Sequence, residues 1–109
     1  MKSFLFYLNQ EKVFKSIQQE MNSPSFGSVS LAQTLLLSES QLYRKLKSIS
    51  GKSTALFIRS VRLQKAKELI QTTDKTISEI SYELGFNDPA WFSRVFKEEF
   101  GFSPSDISK

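Results

Sequence analysis

Two copies of one pattern, about fifty residues apart, restrict the fold of this 109-residue chain more than any other feature. Aligning Gly51 with Gly101 pairs Leu42 with Phe92, Arg44 with Arg94, Leu46 with Phe96, Lys47 with Lys97 and Ser53 with Ser103. An offset of forty-nine pairs Leu31 with Ile80, Leu35 with Leu84 and Leu37 with Phe86. The copies therefore differ by one residue in the turn that lies between their two helices.

The spacing of apolar residues predicts helices throughout. Side chains three or four positions apart form apolar stripes, and no segment alternates as a half-buried strand would. The predicted helices are 10–21, 29–36, 38–50, 54–71, 77–84 and 89–100. The fold class is accordingly all-α, with two helix-turn-helix subdomains joined by a long central helix.

Capping residues mark where these helices begin and end. Ser28 is expected to cap the 29–36 helix, and Ser53 or Thr54 the long helix. Thr76 and Glu79 fit a capping box, and Asp88 precedes a proline in the first helical position. Gly51 and Gly101 stand where a helix ends in a left-handed residue. These signals divide the chain into a linker remnant at 1–9, a first subdomain at 10–52, a connecting helix at 53–73 and a second subdomain at 74–109.

The residue types that are missing argue against an enzyme. The chain has no Cys and no His, so thiolate chemistry, the commonest metal ligands and the commonest general base are absent. Four glycines leave no phosphate-binding loop. We therefore expect no metal, no cofactor and no small-molecule ligand. The N-terminal apolar run is too short for a signal peptide or a membrane span, so no membrane association and a cytoplasmic location are expected.

The net charge of +4 is unevenly distributed. Residues 28–58 hold four basic residues and one acidic residue, and residues 59–73 hold four and one. Residues 74–109 hold four basic and seven acidic residues. A phosphate-binding surface is therefore expected around residues 44–67, where Arg59 and Lys65 are the candidate phosphate contacts outside the repeats.

The second helix of each copy has an apolar back and a polar front. In the first copy, the front residues are Ser40, Gln41, Tyr43, Arg44 and Lys47. In the second copy, they are Ala90, Ser93, Arg94 and Lys97. Arginine can bond bidentately to guanine, and Ser and Gln can donate and accept hydrogen bonds. The alternative is that each front is only a solvated helix face, but the repeat of Arg and Lys one turn apart favours recognition of DNA.

The second copy carries the motif Ile80-Ser81-x-x-x-Gly85-Phe86-x-Asp88-x-x-x-Phe92-x-Arg94-x-Phe96-Lys97-x-x-x-Gly101-x-Ser103-Pro104, which resembles the AraC/XylS family of bacterial transcription regulators. Leu31-Ala32, Ser38-x-x-x-Leu42-x-Arg44-x-Leu46-Lys47 and Phe57-Ile58-x-x-x-Arg62-Leu63-x-x-Ala66 agree with it, so the resemblance covers roughly residues 10–107. Asn87-Asp88-Pro89 before the aromatic pair resembles the output domains of Bacteroidetes hybrid two-component regulators.

This resemblance implies about seven helices and sequence-specific binding to double-stranded DNA. The two recognition helices would enter successive major grooves, about one turn (~34 Å) apart. It also places Pro89 and Ala90 near bases and implies RNA polymerase as a protein partner. The sequence departs from the family at Ser81, Trp91, Ser53-Thr54 and Ile107, and none of these removes a predicted base contact.

Several residues have structural interpretations beside the functional ones. We expect Trp91 to pack at the seam between the second subdomain and the long helix, and Arg62 to form internal contacts, with Glu79 or Asp88 as candidate partners. The phenylalanines at 86, 92, 96 and 100 are predicted core residues. For the whole domain, the alternative function is a helical protein-interaction module whose basic face meets an acidic partner without DNA.

Overall fold

A computed structural model describes residue 15 and the ranges 17–20 and 26–107, and the described residues are helical, with no β-strand among them. Lys15 and residues 17–20 belong to a helical stretch. The helices that follow are α1 (Ser28–Thr34), α2 (Glu39–Ser50), α3 (Thr54–Thr72), α4 (Ile77–Glu83), α5 (Pro89–Phe100) and a 3₁₀ turn (Pro104–Asp106). The all-α prediction is confirmed, with a helix number close to that expected. The proposed linker at 1–9 and most of the first predicted helix lie outside the described residues.

The predicted capping residues hold most of these helix ends. Ser38 and Gln41 bond reciprocally, Oγ of Ser38 accepting from N of Gln41 at 3.1 Å and Oε1 of Gln41 accepting from N of Ser38 at 2.9 Å. Thr76 and Glu79 repeat this arrangement at the start of α4. Gly51, with φ of 76°, ends α2 as expected, because left-handed backbone favours glycine.

Two details at α1 differ from the prediction. Ser28 is the first helical residue rather than the cap. The cap is Gly27, which has no side chain to accept a helical N–H, and its own backbone N–H donates to Oγ of Ser30 at 2.9 Å. At the other end, the helix stops at Thr34, and Leu36 lies outside it with φ of 59°.

Both copies use the same turn between their helices. The N–H of Leu37 donates to the carbonyl of Ala32 at 2.9 Å, and that of Phe86 donates to Ser81 at 2.8 Å. These bonds span the same number of residues and close the helix end around one left-handed residue. That residue is Gly85 in the second copy, with φ of 89°, but Leu36 in the first.

The chain divides between Val61 and Arg62, inside α3, into two compact units. In the first unit, the buried apolar residues come from the helical stretch, α1, α2 and the start of α3. They include Ile17, Leu31, Leu35, Leu42, Leu46, Phe57 and Val61, each no more than 5% exposed. The back of α2 thus packs into a mainly aliphatic core.

The second unit builds its core largely from aromatic rings. Phe92 and Phe96 on the back of α5 are fully buried, and their ring centroids lie 5.7 Å apart. Phe86 adds a ring 5.0 Å from Phe92, and Phe100 adds one 4.6 Å from Phe96. Phe86, Phe92 and Phe96 are buried as predicted, while Phe100 is half-buried at the edge of the cluster.

Leu36 is in a left-handed conformation that costs a residue with a Cβ atom about 1–2 kcal/mol, and 80% of its surface is exposed. Leu36→Gly should therefore raise the free energy of unfolding by about 0.5–1 kcal/mol, since strain is relieved and little buried surface is lost. Leu56→Gly is the matched control, because Leu56 is 43% exposed but lies inside α3. It should lower stability by about 1 kcal/mol. Chemical denaturation of both variants checks the opposite signs, and a loss of stability in Leu36→Gly would contradict the strain argument.

The two capping boxes should respond differently to acid. Hydrogen bonds from the backbone and hydroxyl of Thr76 hold the pKa of Glu79 below its ordinary value of 4.5. A carboxylate with a lowered pKa in the folded state stabilises the protein above the ordinary value, and this stabilisation is lost as pH falls through the folded pKa. Gln41 does not titrate, so the box on α2 contributes no such dependence.

Glu79→Gln should therefore flatten the loss of stability below pH 4.5 while keeping an acceptor for the Thr76 backbone. Gln41→Glu should steepen it, because it places the same titrating box on α2. Thermal melts between neutral and acidic pH measure both effects. Hydrogen bonds from Ser103 lower the pKa of Asp106 in the same way. Asp106 is present in both variants, so its contribution to the acid dependence of stability is the same in each. If the melting temperatures of wild type and Glu79→Gln fall equally with pH below 4.5, Glu79 does not contribute to the acid dependence of stability.

Candidate nucleic-acid interface

The outer face of α2 is polar and basic along its length. Leu42 and Leu46 are fully buried on one side of the helix. On the other side, Ser40, Tyr43, Arg44 and Lys47 are exposed, three or four residues apart, and Gln41 is half-buried beside them. Residues at this spacing share a helix face. The structure thus places the five predicted residues Ser40, Gln41, Tyr43, Arg44 and Lys47 on one surface, which we call the first front.

Two residues of the first front also stabilise the ends of α2. Oε1 of Gln41 accepts the N–H of Ser38 in the capping box. Nζ of Lys47 donates to the carbonyl of Gly51 at 3.1 Å, at the opposite end of the helix. Tyr43 and Arg44 lie between Gln41 and Lys47, and Tyr43 has 45% of its surface exposed. The ends of the first front are therefore held in place by the helix itself.

The outer face of α5 presents fewer hydrogen-bonding groups. Ala90, Arg94 and Lys97 are exposed, and Pro89 and Ser93 are half-buried. Phe92, Val95 and Phe96 line the opposite side and are buried. We call Pro89, Ala90, Ser93, Arg94 and Lys97 the second front. Oδ1 of Asp88 accepts from the N–H of Ala90 at 2.9 Å and so fixes where this front begins.

Trp91 belongs to the same part of α5, although sequence reasoning assigned it to packing. Its ring centroid lies 5.6 Å from that of the buried Phe86, which is a packing contact within the second unit. However, 38% of its surface is exposed. The alignment of the copies carried a signal for this exposure, because the offset of fifty places Trp91 on Gln41 of the first front.

The basic residues of α3 are half-buried, and several of them have contacts inside the protein. Nζ of Lys65 lies 3.4 Å from a carboxylate oxygen of Glu68. Nζ of Lys67 lies 5.0 Å from the centroid of the Phe100 ring and 5.8 Å from that of Phe102, within the range of cation–π interactions. Arg59 is half-buried near the end of the first unit's part of the helix.

Arg62 supports the turn of the second unit. A Cβ atom added to Gly85 would lie 3.4 Å from the Cζ atom of Arg62, so the guanidinium covers the left-handed residue of that turn. Burial lowers the pKa of Arg62 from its ordinary value. Glu79 and Asp88, the candidate partners of Arg62, have carboxylates in the caps of α4 and α5. A contact with Gly85 is thus one structural role of Arg62, and pairing with Glu79 or Asp88 stays a prediction.

The electrostatic surroundings of the two fronts differ. Residues 1–61 contain eight basic and three acidic residues, whereas residues 62–109 contain seven basic and eight acidic residues. On α5 itself, Glu98 and Glu99 are exposed and follow Lys97 directly. A polyanion should therefore be attracted more strongly by the first unit than by the second.

The described ranges contain neither a metal-binding cluster nor a helix that could span a membrane. These residues contain no group of three or more Asp or Glu side chains arranged to hold a metal ion. None of the helices in the described part of the chain has the length and apolar character that crossing a membrane requires.

The sequence matches a known protein family and is similar to several known proteins. Residues 31–109 match a family model described as a helix-turn-helix domain. The chain is 34% identical over 95 residues to "Histidine kinase P4" of Formosa agariphila, covering 87% of this chain and 7% of that protein. It is 37% identical over 78 residues to the HTH-type transcriptional activator RhaS of Citrobacter koseri, covering 72% of this chain and 28% of that protein. The chain therefore spans a small part of these relatives.

A solved structure agrees over nearly the whole chain. The C-terminal domain of AraT, a response regulator from Geobacillus stearothermophilus, superposes with a TM-score of 0.75 and 26% sequence identity. The superposition covers 99% of this chain and 90% of that one. The α-helical arrangement described above is thus shared with a domain that ends a signalling protein.

Proposed function

Because this chain belongs to the AraC/XylS family of helix-turn-helix transcription regulators, we propose that it binds double-stranded DNA in a sequence-specific manner as the output domain of a larger regulator. Each unit inserts its second helix, α2 or α5, into a major groove. No step of this function requires a metal, a cofactor or catalysis, and none is proposed.

The observation that carries this proposal is the two-sidedness of the repeated second helix. In each copy, two large apolar residues on the back are fully buried, and an Arg and a Lys one turn apart are exposed on the front. A major groove admits an α-helix and presents guanine O6 and N7 to arginine. Arg44 and Arg94 are thus proposed to read bases.

The remaining residues of the fronts are proposed to support this reading. Ser40, Gln41, Tyr43 and Ser93 contact base edges or phosphates, Pro89 and Ala90 make apolar contacts, and Lys47 and Lys97 neutralise phosphates. Arg59 and Lys65 on α3 are proposed phosphate contacts. The intramolecular bonds of Gln41 and Lys47 hold these side chains near their working positions before DNA arrives, which lowers the entropic cost of binding.

The role of the whole protein extends this proposal. The similarity to a protein named as a histidine kinase supports a hybrid two-component regulator, and the similarity to a transcriptional activator supports RNA polymerase as a partner. A regulator that meets chromosomal DNA in this way acts in the cytoplasm.

Gel retardation with fragmented genomic DNA at low and moderate salt tests the proposal. With ~6–8 phosphate contacts, the logarithm of the binding constant should fall with a slope of about −6 against the logarithm of salt concentration. Selection from a random duplex pool should return a site with two half-sites. Absence of retardation at low salt would contradict DNA binding and favour the protein-interaction module.

The charge difference between the units predicts unequal contributions. Arg44→Ala and Arg94→Ala should each weaken binding to the selected duplex by ~1–3 kcal/mol, with the larger loss for Arg44→Ala. Each substitution should relax base preference in a different half-site. Lys45→Ala is the control, because Lys45 lies on α2 outside the first front. This substitution removes the same charge as Arg44→Ala and should not relax base preference. An equal or reversed order of the two arginine variants would disprove the charge argument.

A further inference from the structure

Trp91 is the single tryptophan of the chain and lies in the first turn of α5. With Asp88 as the cap, Pro89 and Ala90 occupy the first two helical positions and Trp91 occupies the third. An indole that is 38% exposed in this position displays a large apolar surface on the side of the helix that carries the second front. This surface lies beside Ala90 and Arg94, which are proposed to contact DNA.

The equivalent residue of the first unit has a different task. Gln41 is the third residue of α2, and its amide oxygen closes the capping box with Ser38. An indole has no acceptor and cannot close such a box. On α5, Asp88 instead caps the N–H of Ala90, and Pro89 has no N–H to satisfy. The cap of α5 thus uses the Asp88 carboxylate, and the third side chain takes no part in it.

Phe86 gives the exposed indole a fixed support. The Phe86 ring is 3% exposed and lies 5.6 Å from the Trp91 ring, tilted by 50°. Aromatic pairs at this distance and tilt attract each other. One side of the indole is thus seated on the core, and less side-chain entropy is lost when the other side meets a ligand.

The chemistry around Trp91 favours one feature of the major groove. The neighbouring Pro89 and Ala90 are apolar, and the first side chain on this face that is able to bond bidentately to a base is Arg94, nearly one turn later. The C5 methyl group of thymine is the apolar group that base pairs present in the major groove. Polar base edges would gain little from this apolar turn.

We propose that Trp91 is a specificity-determining residue that contacts thymine methyl groups in the half-site of the second unit. The inference rests on the proposed DNA binding and assigns the two units different chemistry. The first unit reads through polar and basic groups, and the second reads through an apolar turn followed by Arg94.

Intrinsic fluorescence tests the contact without altering the protein. Titration with a duplex recovered from random-pool selection should quench or shift the Trp91 emission in step with binding, which the anisotropy of a dye on the duplex records separately. If anisotropy shows binding while the emission stays unchanged, the contact with Trp91 is disproved and DNA binding stands. If neither signal changes at low salt, the proposed function fails together with this inference.

Replacing thymine by uracil, which lacks the C5 methyl group, tests the chemistry. The wild-type protein should lose about fourfold in affinity for each contacted methyl group removed from the second half-site. Trp91→Gln, which installs the residue of the equivalent position on α2, should show a smaller preference for the thymine duplex over the uracil duplex. Tyr82→Ala is the control, because Tyr82 is an aromatic residue on α4 with 58% exposure, and this variant should keep the preference for thymine.

Trp91→Phe guards against a folding defect, since it keeps an aromatic ring against Phe86 and should show an intermediate preference. Circular dichroism of each variant establishes that the helices are retained. Equal affinity of wild type for both duplexes would overturn the proposal, as would an undiminished thymine preference in a folded Trp91→Gln. In either case, retardation by the thymine duplex would leave the proposed DNA binding intact.

Discussion

The complete burial of two large apolar side chains on the back of each second helix is the constraint on which the rest of the structure depends. Leu42 and Leu46 anchor α2, and Phe92 and Phe96 anchor α5, with none of the four exposed to solvent. These anchors are four residues apart, so they fix the rotation of each helix about its axis. Whatever stands between them on the opposite side is necessarily presented outward, and in both copies this includes an arginine.

Much of the fold could be predicted because its signals are local. The caps at Ser38, Thr76 and Asp88 bond to backbone groups within three residues, and Gly51 and Gly101 end helices through their own φ angles. Such features depend on neighbours in the sequence, so a pattern of a few letters contains them. The apolar back predicted for the second helix of each copy is likewise the buried face of α2 and of α5.

The features that escaped prediction depend on contacts distant in sequence or on the absence of an expected residue. Leu36 occupies a left-handed position that its sequence gives no reason to expect, and only the alignment with Gly85 reveals the requirement. The contact of the Arg62 guanidinium with Gly85 and the cation–π contact of Lys67 with Phe100 each join residues more than twenty positions apart. At the candidate site, the apolar stripe was enough to predict which residues are exposed. It did not predict the hydrogen bonds of Gln41 and Lys47 at the ends of α2, which restrict the conformations of these two side chains.

The divergence of the two copies follows from how each second helix satisfies its first backbone N–H groups. In α2, a serine cap and a glutamine in the third position share this task, which restrains the glutamine amide. In α5, a proline removes one N–H group and an aspartate accepts another, while the tryptophan in the third position takes no part in the cap. A third position that takes no part in capping can hold a side chain that packs on Phe86 on one side and is exposed on the other. This difference accounts for a large aromatic residue where the first copy keeps an amide, and it lets one backbone arrangement present two kinds of side chain.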